Sequence, residues 1–217
     1  MAVPSDLPEI PPDFRLASYD FTLPDTAIAQ TPAERRDDSR LLVLFRQERR
    51  WEHARFRDLP RFLPPKSLLV LNDTRVIPAR VYGKRSSGGK VECLFLAPAT
   101  PPDPIPPPSR PPHWEILCQA HGRLLPGETL HFDAGEHLTL VSKNPDRSWL
   151  ARWEGPGELV PFLDKYGQMP LPPYIKRDVQ DPRLPTLDRE RYQTVYARET
   201  GAAAAPTAGL HFTPEHL

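Results

Sequence analysis

The sequence predicts an α/β discontinuous domain with an inserted small antiparallel β-barrel. Two observations carry this. Residues 76–155 hold six short strand-like runs separated by turn signals, the pattern of a small barrel or sandwich. Two segments with helical character, 14–75 and 156–217, bracket that block, so they are expected to meet in space and form one domain around the insertion. Residues 1–13 are proline-rich and acidic and read as a disordered leader.

Composition sets the limits within which the elements are placed. With 39% hydrophobic residues in 217, the chain can build an ordinary core. Thirty prolines, well over twice the average share of about 5%, favour loops, edge strands and extended segments over long helices. Lys plus Arg equals Asp plus Glu at 28 each, so any basic surface must be local. No run approaches the roughly 18 apolar residues of a membrane span, and the start "MAVPSDLPEIPPDF" lacks the parts of a signal peptide, so a cytoplasmic protein with no membrane partner is expected. Cys93 and Cys118 have no CxxC partner. They read as buried thiols, and no metal site is expected.

The elements follow in order. "RLLVLFRQERRWEHARF", 40–56, alternates on both sides of a polar turn and predicts a hairpin. "FRDLPRFLPP" predicts a short amphipathic helix stopped by Pro64 and Pro65, and "SLLVLND" a short buried strand that ends at Asn72 and Asp73. Six strands are then expected at 76–85, 89–97, 113–120, 129–134, 137–143 and 148–154, joined by SSGG, LPGE, DAGE and NPDR turns. The run 98–112, nine prolines in fifteen residues, interrupts them as an extended loop: a tolerated insertion, or a PxxP ligand for a partner domain. "GELVPFLDKYG", 157–167, predicts a helix closed by glycine. Near the end, Thr213, Pro214 and Glu215 form a helix start signal with too few residues after it for a stable helix, so a truncated chain is expected.

Five stretches could carry chemistry, each beside a structural alternative. "LLVLNDTRVIPAR", 69–81, presents Asn72, Asp73, Thr74 and Arg75 at a strand end, where ligands of α/β sheets bind, although Asn-Asp is also turn chemistry. Residues 75–90 contain Arg75, Arg80, Lys84, Arg85 and Lys90 with no carboxylate, which suits phosphates or a solvated hairpin face. "MPLPPYIKR", 169–177, offers Tyr174 for stacking on a base and Lys176 and Arg177 for phosphates, or it is a strap between domains. "RYQTVYAR", 191–198, is dense in donors, with Arg191, Tyr192, Gln193, Thr194 and Tyr196, yet on helical spacing Tyr192, Val195 and Tyr196 would share a core face. In "APTAGLHF", 205–212, small residues and Gly209 let a ligand approach the backbone and His211 suits proton transfer. A lone histidine is also often only a satisfied polar residue. P-loop, dinucleotide and nucleophile-elbow motifs are absent from the sequence.

The strings "YDFTLPDTAIAQTPAERRDDSRLLVL", "LLVLNDTRVIPARVYGKRSSGGKVECLFL", "MPLPPYIKR", "DRERYQTVYAR" and "GAAAAPTAGLHFT" together resemble the S-adenosylmethionine:tRNA ribosyltransferase-isomerase family of queuosine biosynthesis. They stand in family order and cover the chain from about residue 16. The departures are the 98–112 loop and the ending, since family members continue past "GLHFT". The resemblance implies an α/β domain carrying an inserted β-barrel, and a reaction in which the ribosyl unit of the co-substrate S-adenosylmethionine passes to the aminomethyl group of a 7-deazaguanine in tRNA and isomerises to an epoxycyclopentanediol, giving epoxyqueuosine, with adenine and methionine released. Such chemistry needs a base for the protons beside the sulfonium and an uncharged amine.

By residue type, His211 and Asp73 are expected as the proton-transfer groups of such a reaction. Asn72, Thr74, Arg75, Tyr174, Arg191, Tyr192, Gln193, Thr207 and Gly209 are expected to hold the donor or base. Arg80, Lys84, Lys90, Lys176 and Arg177 are expected on tRNA phosphates, with no metal and a monomeric enzyme. The alternative is a catalytically inactive remnant that at most binds RNA, and a third is a proline-rich scaffold acting through 98–112.

Overall fold

The computed structural model describes residues 11–99, 112–178 and 181–217, so most of the expected leader and of the 98–112 loop lies outside the described residues. Residues 11–31 belong to a compact unit of their own, built from 3-10 turns at Pro12–Phe14, Leu16–Tyr19 and Asp25–Ala27. Everything from Pro32 onward forms a second unit.

The second unit starts with the expected hairpin, β1 (Arg40–Phe45) and β2 (Arg50–Arg55), paired from Arg40↔Arg55 to Phe45↔Arg50. Alternation sorts its faces. Leu41, Val43 and Phe45 are half-buried, whereas Leu42, Leu44 and Trp51 point the other way and are each more than 60% exposed. The helix expected at "FRDLPRFLPP" is a 3-10 helix over Phe56–Phe62, entered by an Arg55–Asp58 capping box and carrying Pro60 inside. Phe56 at its start is buried.

The buried strand expected at "SLLVLND" does not form. Residues 67–73 have no strand pairing, and Leu68 and Val70 are 90% and 83% exposed. An apolar run becomes a strand only where a neighbour accepts its backbone groups and a layer covers its side chains, and the described residues offer it neither. The first sheet contact comes later, at β3 (Thr74–Val76), which pairs in parallel with β10 (Glu199–Ala202).

The strand expected over 76–85 is two strands in two sheets. Val76 ends β3, and β4 (Arg80–Arg85) begins after Pro78, which has no N–H for a ladder; Ala79 N instead donates to Ile77 O at 2.7 Å. From β4 onward the reading holds closely. β5 (Lys90–Ala99), β6 (His113–Ala120), β7 (Thr129–His131), β8 (His137–Lys143) and β9 (Trp149–Trp153) close with β4 into a six-stranded barrel in the order β4-β5-β6-β9-β8-β7, every pair antiparallel. Closure removes the exposed edges that six short strands would otherwise carry. Inward positions supply the core: Val81, Val91, Phe95, Trp114, Ile116, Leu130, Phe132, Leu138, Leu140 and Trp149 are buried.

The expected helix after the barrel is α1 (Leu159–Tyr166), stopped at Gly167, and it seals the barrel core: Phe162 packs 5.0 Å from Trp153 and 5.8 Å from Phe132 between ring centres. Residues 169–177 then cross back with Met169 and Leu171 buried beside Val76 and Tyr192, a second and smaller core. α2 (Leu184–Arg191) follows and ends at Tyr192, so the helical face expected for Tyr192, Val195 and Tyr196 does not exist. Tyr192 is buried, whereas Val195 is 39% exposed. The chain closes with 3-10 turns at Thr207–His211 and Pro214–His216, the latter capped by Thr213 as its sequence suggests. No described helix is long and apolar enough to cross a membrane.

Candidate functional site

Segments far apart in sequence meet where β3 and β10 run side by side. The register places Glu199 against Thr74 and Thr200 against Arg75, joining "NDTRV" to "YARETG". Two side chains fasten this junction. The Gln193 amide spans the Val76 peptide, accepting from Val76 N at 3.0 Å and donating to Val76 O at 3.2 Å, and so supplies the ladder bonds a neighbouring strand would make. Arg198 donates to Asp73 Oδ2 through Nη2 at 2.6 Å and Nε at 3.1 Å, while its own N–H donates to Asp73 O at 2.7 Å.

Asn72 is held in a local turn: its Oδ1 accepts from Thr74 N at 2.9 Å and from Thr74 Oγ1 at 2.6 Å. Arg75 is exposed and lines a cavity of about 340 Å³ with Gln193 and Thr200. Asp73 and Arg198 line another of about 460 Å³, together with Leu71, Val195, Tyr196 and Ala197.

Beside that second cavity sits the "TAGLHF" turn. Gly209 is buried because a larger residue would not fit: a Cβ there would lie 2.2 Å from Tyr196 Oη and 2.9 Å from Thr194 Cγ2. Burial pushes the Tyr196 phenol above its ordinary value, so it stays a protonated donor at neutral pH. Thr194 is 4% exposed, and its hydroxyl has no hydrogen-bond partner among the described residues. His211 is half-buried, stacked on Phe56 at 5.2 Å, with Nδ1 3.1 Å from Ala208 O. A carbonyl can only accept, so Nδ1 carries the hydrogen and Nε2 is left with a lone pair able to take a proton. Among the described residues no hydrogen bond links His211 to Asp73, so the two expected proton-transfer groups stand apart.

The remaining expected residues fall into two groups. Arg191 donates to Ala33 O at 2.7 Å and Glu34 O at 3.2 Å, and Tyr192 lies in the smaller core, where burial raises its phenol. Arg80 Nε lies 3.0 Å from Glu92 Oε1 without the angle of a hydrogen bond, and its Nη2 donates to Leu171 O at 3.1 Å. Arg85 grips Glu128 through Nε at 2.5 Å, and Arg177 grips Asp188 in a fork of 2.8 and 2.7 Å. Carboxylates from outside 75–90 thus neutralise part of the basic ribbon. Arg75, Lys84 and Lys90 remain outward on it, the two lysines exposed and directly opposite each other across β4 and β5, a like-charge pair that an anion would relieve. Tyr174, Lys176 and Thr207 are exposed.

A further cavity of about 670 Å³ lies between the outer barrel wall at Tyr82 and Glu92 and the 169–177 strap. The residue the sequence reading did not single out is Arg198, because its partner Asp73 is 125 positions away. Among the described residues no cluster of His, Cys, Asp or Glu could hold a metal ion.

Comparison with known proteins adds three findings. Residues 16–217 match the family described as "Queuosine biosynthesis protein". The S-adenosylmethionine:tRNA ribosyltransferase-isomerase of Trichlorobacter lovleyi is 43% identical over 199 residues, covering 92% of this chain and 54% of the relative; that of Staphylococcus aureus strain JH9 is 43% identical over 204 residues, covering 93% and 55%. A crystal structure of S-adenosylmethionine tRNA ribosyltransferase from Thermotoga maritima aligns with 28% identity over 91% of this chain and 51% of its own, at a TM-score of 0.31. The chain spans about half the length of the curated relatives it matches.

Proposed function

Because the chain belongs to the queuosine biosynthesis protein family, we propose that it serves the reaction its relatives are named for, transfer and isomerisation of the ribosyl unit of S-adenosylmethionine onto 7-aminomethyl-7-deazaguanine in tRNA. The observation that carries the proposal is the β3–β10 junction, where Asp73, Arg198 and Tyr196 share one cavity beside the close-packed Thr194, Gly209 and the turn bearing His211.

The residues present suit a polar nucleoside donor. Thr194 offers a buried hydroxyl without a partner among the described residues, and Tyr196 a protonated phenol. Bound S-adenosylmethionine supplies a sulfonium that acidifies the neighbouring ribose protons. In this reading His211 Nε2 takes up such a proton, its ring held in the receptive tautomer by Ala208 O and its plane fixed by Phe56. Asp73, oriented by Arg198, serves the second proton transfer, and Arg75 and Thr207 complete contacts with the donor or base. Asn72, Thr74 and Gln193 act by shaping the backbone that faces the ligand. Lys84 and Lys90 take tRNA phosphates, with Lys176 and Tyr174 extending that surface.

The finer architecture belongs to the same proposal: one domain from residues 14–75 and 156–217, interrupted by the barrel at 76–155, acting as a cytoplasmic monomer. The test joins residues 1–217 to the remaining part of the Trichlorobacter lovleyi relative and incubates the product with S-adenosylmethionine and tRNA bearing the aminomethyl-deazaguanine. Epoxyqueuosine among the digested nucleosides supports the proposal. tRNA binding without any product would favour an RNA-binding remnant instead.

A further inference from the structure

The two cysteines occupy a position that the proposed reaction does not use. Cys93 on β5 and Cys118 on β6 are direct register partners, flanked by the pairs Glu92↔Gln119 and Leu94↔Leu117. Both side chains point into the barrel, and their sulfurs lie 3.7 Å apart. The environments differ. Cys93 is fully buried in the core that also holds Val91 and Phe95, whereas Cys118 is only half-buried, packed against that core as are Ala120 and Leu124.

We infer that Cys93 and Cys118 form a redox-active dithiol that a peroxide converts into a cross-strand disulfide. Directly opposed residues of an antiparallel pair have Cα atoms about 4.5–5.5 Å apart, inside the range of about 4.4–6.8 Å that disulfides span, so closure needs rotation of side chains and no movement of strands. The chemistry runs in two steps. The accessible Cys118, as thiolate, attacks one peroxide oxygen, breaking the O–O bond to give a sulfenic acid and releasing hydroxide, which is protonated to water. The Cys93 sulfur then attacks the Cys118 sulfur, the S–O bond breaks, and the leaving hydroxide takes the Cys93 proton to become a second water. Two thiols are oxidised and one peroxide is reduced. The greater exposure of Cys118 assigns it the attacking role and the buried Cys93 the resolving one, in keeping with the hydrogen bond to Cys118 and the burial that hold the Cys93 thiol well above its ordinary value. Elsewhere such pairs in reducing compartments are transient and redox-sensing, and this dithiol fits that use.

The inference stands apart from the tRNA reading and is tested on this chain with hydrogen peroxide alone. Folded protein is oxidised, quenched, alkylated and weighed intact, then digested without reductant. The expected product has lost two hydrogen atoms, carries no alkyl group and yields a peptide pair joined through Cys93 and Cys118. The same disulfide should form roughly tenfold or more slowly in urea, where the fold no longer supplies proximity. In Cys93→Ser a sulfenic acid trapped by dimedone should accumulate on Cys118, and Cys118→Ser should leave Cys93 alkylatable only after unfolding. Overoxidation of Cys118 in the parent chain with Cys93 still free, a disulfide only between two chains, or equal rates folded and unfolded would each overturn it.

Discussion

Gly209→Ala adds one methyl group at the most crowded point of the proposed site. Its Cβ would stand 2.2 Å from Tyr196 Oη and 2.9 Å from Thr194 Cγ2, both closer than real Cβ contacts come, and 3.2 Å from Tyr196 Cζ, tighter than most of them. The tyrosine cannot swing away freely, because its ring meets Phe212 edge-on at 6.2 Å and Phe212 in turn packs on Phe56 at 4.9 Å. Overpacking of this kind costs about 1–3 kcal/mol, and for a chain of this size each kcal/mol lowers Tm by about 2–4 °C, so a drop of about 2–12 °C is expected. Urea unfolding followed by tryptophan fluorescence checks the free energy, with an unchanged slope as the sign that the unfolded state is unaffected. Tyr196→Phe removes the nearest atom, so in the double variant part of the loss should return, a coupling that additive sites would not produce. A Gly209→Ala protein as stable as its parent would refute the packing described for this turn.

Three further outcomes are expected. Gln193→Ala leaves the N–H and C=O of Val76 without partners, which costs about 1–3 kcal/mol in urea unfolding; a neutral result would mean that water replaces the amide. Lys84→Ala with Lys90→Ala should lower the log-log salt slope of tRNA binding by about 0.9 for each phosphate contact on duplex-like RNA while leaving Tm unchanged, whereas an unaltered slope would identify the pair as a solvated face. Tyr192 has its phenol raised by burial above the ordinary value of 10.0, so its contribution to stability is complete below that pH and is lost as pH rises through the higher folded value; phenolate absorbance against pH, folded and in urea, should show the displaced titration.

The barrel was legible because each strand carries its own period and each turn its own residues. SSGG, DAGE and NPDR announce reversals locally, and alternation alone places Phe95, Ile116 and Leu138 inside. The helices at Leu159–Tyr166 and the hairpin at Arg40–Arg55 were legible for the same reason. The junction was not. β3 has three residues and β10 four, they pair in parallel across more than 120 positions, and neither has a pattern that names the other. Pro78 gave a sign that 76–85 is interrupted, since a proline seldom continues a ladder. The apolar run Leu68–Val70 misled because apolarity records a preference for cover and does not say whether cover is present.

At the site the residue types were readable and their partners were not. Asp73 reads in the sequence as a proton-transfer group without its partner and is oriented by Arg198; Arg80 and Arg177 looked like phosphate contacts and carry Glu92 and Asp188. Gly209 pointed to a close approach, and the group that approaches is Tyr196.

The most direct measurement is adenine release from S-adenosylmethionine by the full-length chimera on its modified tRNA, with the site residues changed one at a time. His211→Ala and Asp73→Asn are expected to lower kcat by about a hundredfold or more, the usual contribution of a positioned proton-transfer group, with both variants folded by circular dichroism. Lys84→Ala with Lys90→Ala is expected to raise KM for tRNA and leave kcat in place. Release at the parental rate by both the His211 and the Asp73 variants would contradict the account and move the chemistry away from the β3–β10 junction.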